Sequence, residues 1–184
     1  MAFEVKFELS EIDVEHFRNV MRKAQLSTKA LSETVILANA KNISTRITHQ
    51  VPEFVALRIK KLDTFVAMIE DSEWQFPQTE RANLLSALSY FSESEYLFPA
   101  HIPVLGFLDD AIMIDLVADE FSEDIDAFNE FCIYRNGKEG VNVTMTRNER
   151  LKSKRQELHT RIKHHRSTRQ MNSSSISANV PKNT

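Results

Sequence analysis

The chain has 184 residues, 42% of them apolar, with only three glycines, five prolines and one cysteine. This length suits one domain with a substantial core plus a tail, and the apolar fraction is that of a globular protein. The scarcity of glycine and proline disfavours an all-β fold, which needs frequent turns, and favours an all-α fold. The single cysteine, Cys132, excludes an internal disulfide, which is typical of a reducing compartment.

Neither a secretory signal nor a membrane span is predicted. The N-terminus carries acidic residues among its apolar ones, unlike a secretory signal. The longest uncharged stretch of the apolar middle runs only from Tyr96 to Leu108, whereas a span needs about 20 apolar residues. We therefore predict a cytoplasmic protein.

Charge is distributed unevenly along the chain. Residues 146–184 contain ten Lys or Arg and two Glu, a net charge of +8. The remaining residues, 1–145, contain 13 basic and 24 acidic residues, a net charge of -11. This separation predicts an electrostatic partner for the C-terminal segment, either the body of the same chain or an external polyanion.

The predicted elements begin with an extended arm over residues 1–9, where apolar and polar residues alternate. Ser10 and Asp13 resemble a capping box, with Asp in place of the usual Glu or Gln. They predict a first helix over residues 11–24.

Three further helices are predicted from capping residues and apolar residues at helical spacing. The second helix starts at Ser27 or Ser32 and ends near residues 42–44. The third starts at Pro52 and ends at the segment Asp71–Pro77. The fourth runs from about residue 78 to about residue 92.

The fifth and sixth predicted helices differ in pattern. Residues 108–118 are apolar almost all round, which predicts the most buried helix of a bundle. The sixth, residues 122–136, carries Cys132 on its apolar face, which predicts a buried and inert thiol.

The predicted fold is an all-α bundle of about six helices over residues 10–137. A basic helical extension over residues 146–170 and a disordered tail over residues 171–184 follow it.

Known catalytic motifs are absent from the sequence. Gly106, Gly137 and Gly140 lie in unrelated contexts and form no phosphate-binding loop. There is no Gly-x-Ser-x-Gly, His-Glu-x-x-His or Cys-x-x-Cys pattern. We predict no catalytic residue and no cofactor.

The string PAHIPVLGFLDDAIMIDLV carries the most specific pattern. It resembles the core motif of the YkvA-like family, a bacterial domain of unknown function, over residues 97–118. The positions in register are Pro99, Ile102, Pro103, Leu105, Gly106, Asp109 and Asp110. Tyr96 and Ala100 stand where the family has aspartates, so a function needing those carboxylates would be lost or moved to Glu93 or Glu95. The resemblance implies a compact helical domain, associated with membranes in some relatives, and no established activity.

Two interpretations of this motif remain open. In the structural one, Pro99, Pro103 and Gly106 shape the chain, and Asp109 and Asp110 lie at a helix start, where the dipole favours carboxylates. In the functional one, Asp109 and Asp110, with Asp115, collect Mg²⁺ or Ca²⁺. A transition-metal site using His101 is a weaker alternative. Asp115 and Asp119 lie four residues apart on one helix face, so we expect a Lys or Arg nearby.

The basic segment, residues 147–169, carries Leu151, Leu158 and Ile162 at helical spacing. It predicts a helix that docks on the acidic body, binds nucleic acid without sequence preference or binds an anionic membrane surface. The candidate polyanion-binding residues are Arg147, Arg150, Lys152, Lys154, Arg155, Arg161, Lys163 and Arg166. Because three apolar residues provide little burial, we expect deletion of residues 146–184 to leave the body's stability unchanged.

These observations favour a non-enzymatic binding or scaffold protein of the YkvA-like type. One form of this hypothesis makes it a peripheral membrane protein. The alternatives are a metal-dependent enzyme using Asp109 and Asp110, and a nucleic-acid accessory protein that binds through residues 147–169.

Overall fold

The computed structural model describes residues 8–27, 31–46, 53–92, 108–137 and 145–177. These residues form seven α-helices and one 3-10 helix, and none of them belongs to a strand. The α-helices are α1 (Glu11–Ser27), α2 (Glu33–Arg46), α3 (Glu53–Glu70), α4 (Gln78–Leu88), α5 (Leu108–Glu120), α6 (Ser122–Asn136) and α7 (Arg147–Ser177). The predicted all-α fold is confirmed. The predicted arm lies outside the described residues except for Glu8 and Leu9.

Local capping explains where the first two helices begin. The Ser10 N–H and hydroxyl donate to Asp13 Oδ2 at 2.9 and 2.7 Å, and the Asp13 N–H lies 3.3 Å from Ser10 Oγ. This is the predicted capping box. Of the two candidates for α2, Ser32 is the cap, because its Oγ accepts the N–H of Val35 at 3.4 Å.

The fourth predicted helix changes its form near its end. It is α-helical to Leu88 and continues as a 3-10 helix, Ser89–Ser92, instead of running on as one α-helix. The Ser89 hydroxyl donates to the carbonyl of Ser86 at 2.7 Å, so a short-range hydrogen bond accompanies the tighter winding. Three of its four residues are buried.

The core surrounds α3, which packs against α2, α5 and α6. The largest fully buried side chains of the core are Trp74, Phe65, Phe131, Leu62, Met68, Leu84, Leu88, Met113, Ile114, Leu158, Val55 and Val117. Of the 12 residues of α5 whose burial is described, seven are buried, against seven of the 18 in α3, which is the next most heavily buried of the long helices. The prediction that residues 108–118 form the most buried helix is confirmed.

The last helix, α7, packs mainly against α6. The basic extension is helical as predicted, but the helix continues to Ser177, into the segment 171–184 that was predicted to be disordered. Residues 178–184 lie outside the described part of the chain. Helix propagation adds one hydrogen bond per residue, and no glycine or proline interrupts this sequence before Pro181.

Candidate functional site

The proline, glycine and aspartate motif of residues 97–118 is only partly described. Pro99, Pro103 and Gly106 lie outside the described residues, as does the side chain of Asp109. Asp109 and Asp110 both fall in the first turn of α5, so the predicted position near a helix start is confirmed. Asp110 is buried, with 5% of its surface exposed.

Asp115 lies further along α5 and is held by two cations from α3. Its Oδ2 accepts a hydrogen bond from Arg58 Nε at 2.6 Å, and its Oδ1 lies 2.8 Å from Lys61 Nζ. The expected basic partner is therefore present. Both carboxylate oxygens already have cationic partners, so Asp115 is poorly suited to act as a metal ligand.

Among residues 8–27, 31–46, 53–92, 108–137 and 145–177, no three His, Cys, Asp or Glu side chains come together as metal ligands. One shallow depression is lined by Glu11, Ile12, Glu15, His16 and Asn19. All five residues belong to α1, so the depression is a patch of one helix surface and does not enclose a substrate.

The most extensive assembly of charged side chains lies where α7 meets the body. On the inner side of α7, Leu151, Leu158 and Ile162 are all buried and join the core. His159, next to Leu158, packs edge-on against the ring of Trp74, with ring centroids 4.5 Å apart. Since Trp74 also contacts Phe128 and Phe131, this helix covers an aromatic cluster of the body.

Around this apolar strip, the cations of α7 pair with carboxylates of the body. Glu130 of α6 receives both Lys154 Nζ at 2.7 Å and Arg161 Nη2 at 2.6 Å. These hydrogen bonds lower the pKa of Glu130. Near the end of the described interface, Arg166 pairs with both Glu80 of α4 and Asp124 of α6.

The turn after α3 joins three helices. Asp71 Oδ1 accepts the N–H groups of Glu73 and Trp74 at 2.8 and 2.9 Å, and Asp71 Oδ2 accepts from Arg135 of α6 at 2.6 Å. Burial alone would raise the pKa of Asp71, but these hydrogen bonds outweigh it and hold the pKa below its usual value.

Two cations of α7 bind the same turn through Glu73. Arg147 Nη1 lies 2.6 Å from Glu73 Oε1, and Arg155 Nη1 donates to the Glu73 backbone carbonyl at 2.7 Å. The hydrogen bond from Arg147 is the main reason that the pKa of Glu73 is lowered. The turn is therefore a docking point for the basic helix.

Two side chains of this interface have pKa values shifted far from their ordinary range. Burial raises the pKa of Asp124 to about 6, against an opposing effect of Arg166. Burial, together with Arg155 and Lys163, lowers the pKa of His159 to about 4. Both groups keep one buried side-chain atom without a hydrogen-bond partner, Asp124 Oδ1 and His159 Nε2.

The predicted polyanion-binding residues thus divide between two faces of α7. Arg147, Lys154, Arg155, Arg161 and Arg166 contact the body, whereas Lys152 and Lys163 are exposed and Arg150 is half-buried. The docked interpretation of the segment agrees with this arrangement. The premise that its three apolar residues provide little burial is wrong, because all three are buried in the core. Deletion of residues 146–184 would uncover that core.

Sequence reasoning missed the body side of this interface. Glu73, Trp74, Glu80, Asp124 and Glu130 receive α7, and the only sequence signal for them was the excess of acidic residues before residue 146. No local pattern distinguishes these carboxylates from others of the body.

Cys132 is half-buried on α6, where it was predicted to be buried and inert. Burial raises the pKa of its thiol, which disfavours the reactive thiolate. Arg135 Nη2 lies 3.6 Å from the sulfur of Cys132, but this guanidinium is already paired with Asp71.

The helices within the described ranges all lack the combination of length and apolarity that crossing a membrane requires. Comparison with family models, with curated proteins and with solved structures finds no match to this chain.

Proposed function

We propose that this chain is a non-enzymatic binding or scaffold protein of the YkvA-like type, working in the cytoplasm and able to associate with a membrane surface. The observation that carries the proposal is that the candidate ligand-binding and polyanion-binding residues are largely engaged in ion pairs between helices. Asp115 pairs with both Arg58 and Lys61, and five cations of α7 contact the body. Such pairing supports a structural use of these charges.

The family part of this proposal rests on residues 97–118 of the sequence. An all-α fold agrees with the compact helical domain that the resemblance implies. The membrane part is tested by flotation of the full chain with vesicles of phosphatidylcholine alone or with added phosphatidylglycerol. We expect flotation only with the anionic vesicles. Absence of flotation with both compositions would remove the membrane part.

A metal-dependent enzyme built on Asp109 and Asp110 is tested by adding Mg²⁺ or Ca²⁺ to the full chain and measuring the melting temperature. For a scaffold, we expect no metal-dependent rise in wild type or in Asp110→Asn. A rise that is present in wild type, lost in Asp110→Asn and retained in Asp126→Asn would replace the scaffold proposal. Asp126 is a suitable control because it is exposed on α6.

A second candidate function is weak binding of RNA or DNA through the outer face of α7. Lys152 and Lys163 are exposed there, and no acidic residue follows Glu157 in the chain. Binding to a mixed-sequence RNA should fall steeply with salt and be weaker in the double variant Lys152→Ala/Lys163→Ala. Lys60→Ala, on the exposed side of α3, is the matched control. Equal binding by all three proteins would exclude this face.

A further inference from the structure

The inner face of α7 is basic as well as apolar. At about 100° of rotation per residue, Leu151, Leu158 and Ile162 all fall within about 20° of one direction around the helix axis. The two acidic residues of the helix, Glu149 and Glu157, lie about 120° or more from that direction. The five cations that contact the body lie within about 80° of it; they are Arg147, Lys154, Arg155, Arg161 and Arg166. This is the pattern of a basic amphipathic helix.

In the docked helix, carboxylates of the body occupy the cations of this face. Arg147 pairs with Glu73, in the turn after α3. Lys154 and Arg161 both pair with Glu130 of α6. These pairs are partly open to water, because the side chains of Glu73 and Glu130 are 38% and 39% exposed. Exposed pairs of this kind contribute little stability, so another anion can replace the carboxylates at small cost.

The apolar centre of the same interface leaves two polar atoms unsatisfied. Trp74 Nε1 and His159 Nε2 are both buried without a hydrogen-bond partner, although the two rings meet edge-on. A buried polar atom without a partner costs free energy, which it regains when it meets water. Release of α7 would return both atoms to water. Docking is therefore weaker than the apolar contacts alone suggest.

The chemistry of the inner face fits an anionic lipid surface better than a soluble polyanion. Release takes Leu151, Leu158 and Ile162 out of the core, and only another apolar phase compensates for that loss. A bilayer offers such a phase to the apolar strip, and its anionic headgroups lie at the depth of the flanking cations. RNA would offer phosphates alone.

We propose that the inner face of α7 is a binding surface for anionic lipid that the body covers, so that α7 must leave the body before it binds a membrane. This rests on the membrane association proposed above and adds the surface that binds and the step that uncovers it. Since docking buries the strip, the released helix is a minor state, and the affinity for lipid is reduced by the released fraction. Any change that weakens docking from the body side therefore strengthens lipid binding.

The first test measures docking in the wild-type full chain. Lys154 Nζ lies 2.7 Å from Glu130 Oε1, so a carbodiimide can join them in a zero-length cross-link while α7 is docked. Lys154 Nζ also lies 2.9 Å from Glu157 of its own helix, and this second cross-link is the internal control. With vesicles of phosphatidylcholine and phosphatidylglycerol in excess, we expect the yield of the first cross-link, relative to the second, to fall about fivefold or more. With phosphatidylcholine alone it should not change.

Flotation of the same samples separates this proposal from the one on which it rests. Flotation with anionic vesicles and an unchanged cross-link between Lys154 and Glu130 would overturn the covered surface alone, because the docked protein would then bind the membrane. Absence of flotation would overturn both proposals. Loss of the cross-link with mixed-sequence RNA, but not with anionic vesicles, would assign the inner face to RNA instead of lipid.

The second test weakens docking from the body side. Glu73→Gln/Glu130→Gln removes the partners of three cations of α7 and should raise the affinity for anionic vesicles about tenfold, because the released fraction grows. Asp119→Asn/Asp126→Asn is the matched control, since it removes the same negative charge from exposed residues of α5 and α6. It should raise the affinity less than about threefold, through weaker repulsion from the lipid. Equal affinities of the two double variants would overturn the proposal.

Discussion

Helices α5 and α7 both belong to the core, yet they reach it in different ways. In α5, seven of the 12 residues whose burial is described are buried, and apolar residues occur on nearly every side. In α7, only Leu151, Leu158 and Ile162 are buried among its described side chains, and the rest of the interface consists mainly of ion pairs. Apolar content therefore identifies a buried helix such as α5, but it underestimates how far a helix such as α7 takes part in the core.

The burial of α7 depends on a narrow strip meeting an aromatic cluster of the body. Leu151, Leu158 and Ile162 lie 7 and 4 residues apart, which places them along one side of the helix. Cations flank the strip on both sides, such as Lys154 and Arg161 on Glu130. The apolar strip provides most of the stabilisation, and these exposed ion pairs add little to it.

The largest expected effect comes from deleting residues 146–184. Burying three aliphatic side chains contributes roughly 5 kcal/mol, part of which is offset by the cost of ordering the helix. We therefore expect a lower free energy of unfolding, measured by urea denaturation of the full chain and the deletion variant. A variant lacking only residues 178–184 is the control and should match wild type. Equal midpoints for all three would show that α7 is not part of the core.

Leu158→Ala compares the two helices directly, because Leu158 in α7 and Ile114 in α5 are both fully buried. We expect each Ala variant to lose about 2–5 kcal/mol, since each leaves a cavity. Ile133→Ala is the control; Ile133 is 73% exposed, so its loss should stay below about 0.5 kcal/mol. A Leu158→Ala loss as small as that of Ile133→Ala would mean that α7 is only loosely attached.

Arg166→Met removes the cation shared by Glu80 and Asp124. At pH 7 this leaves two adjacent carboxylates, one of them fully buried, and should cost about 3 kcal/mol. Because Asp124 then takes up a proton more readily, the cost should be smaller at pH 5. Arg169→Met, at a side chain that is 66% exposed, should cost little at either pH. Chemical denaturation at the two pH values measures the cost of each variant, and equal costs for the two would show that Arg166 is not shared by Glu80 and Asp124.

The smallest expected effect concerns the ion pairs of α5. The Asp115 side chain is 35% exposed, so Asp115→Asn should cost only about 1 kcal/mol, even though it faces both Arg58 and Lys61. The cost should shrink further in 1 M salt (an ionic strength about tenfold above ordinary buffers) because such pairs are screened. Thermal unfolding at low and high salt measures it, with Asp126→Asn as the control. A large, salt-independent cost would mean that this pair is effectively buried.

The order and type of the helices could be predicted from the sequence alone, because they depend on interactions within a few residues. The capping box of Ser10 and Asp13 locates the start of α1, and the predicted bounds of residues 122–136 match α6. The near-continuous apolar pattern of residues 108–118 also identified the most buried helix. The change from α to 3-10 winding at Ser89 was not foreseen, since no glycine or proline marks it in the sequence.

What only the tertiary structure decided is where the basic helix goes and which carboxylates receive it. Arg147 meets Glu73, 74 residues earlier, and Arg166 meets Asp124, 42 residues earlier, so no local spacing relates the partners. The sequence by itself determined that the two segments carry opposite charge and that α7 has one apolar side. Coulomb attraction is the same for any carboxylate at a given distance, so the pairing follows from packing the apolar strip beside the aromatic cluster around Trp74. In the same interface His159 is half-buried and Asp124 is buried, and burial lowers the pKa of His159 and raises the pKa of Asp124.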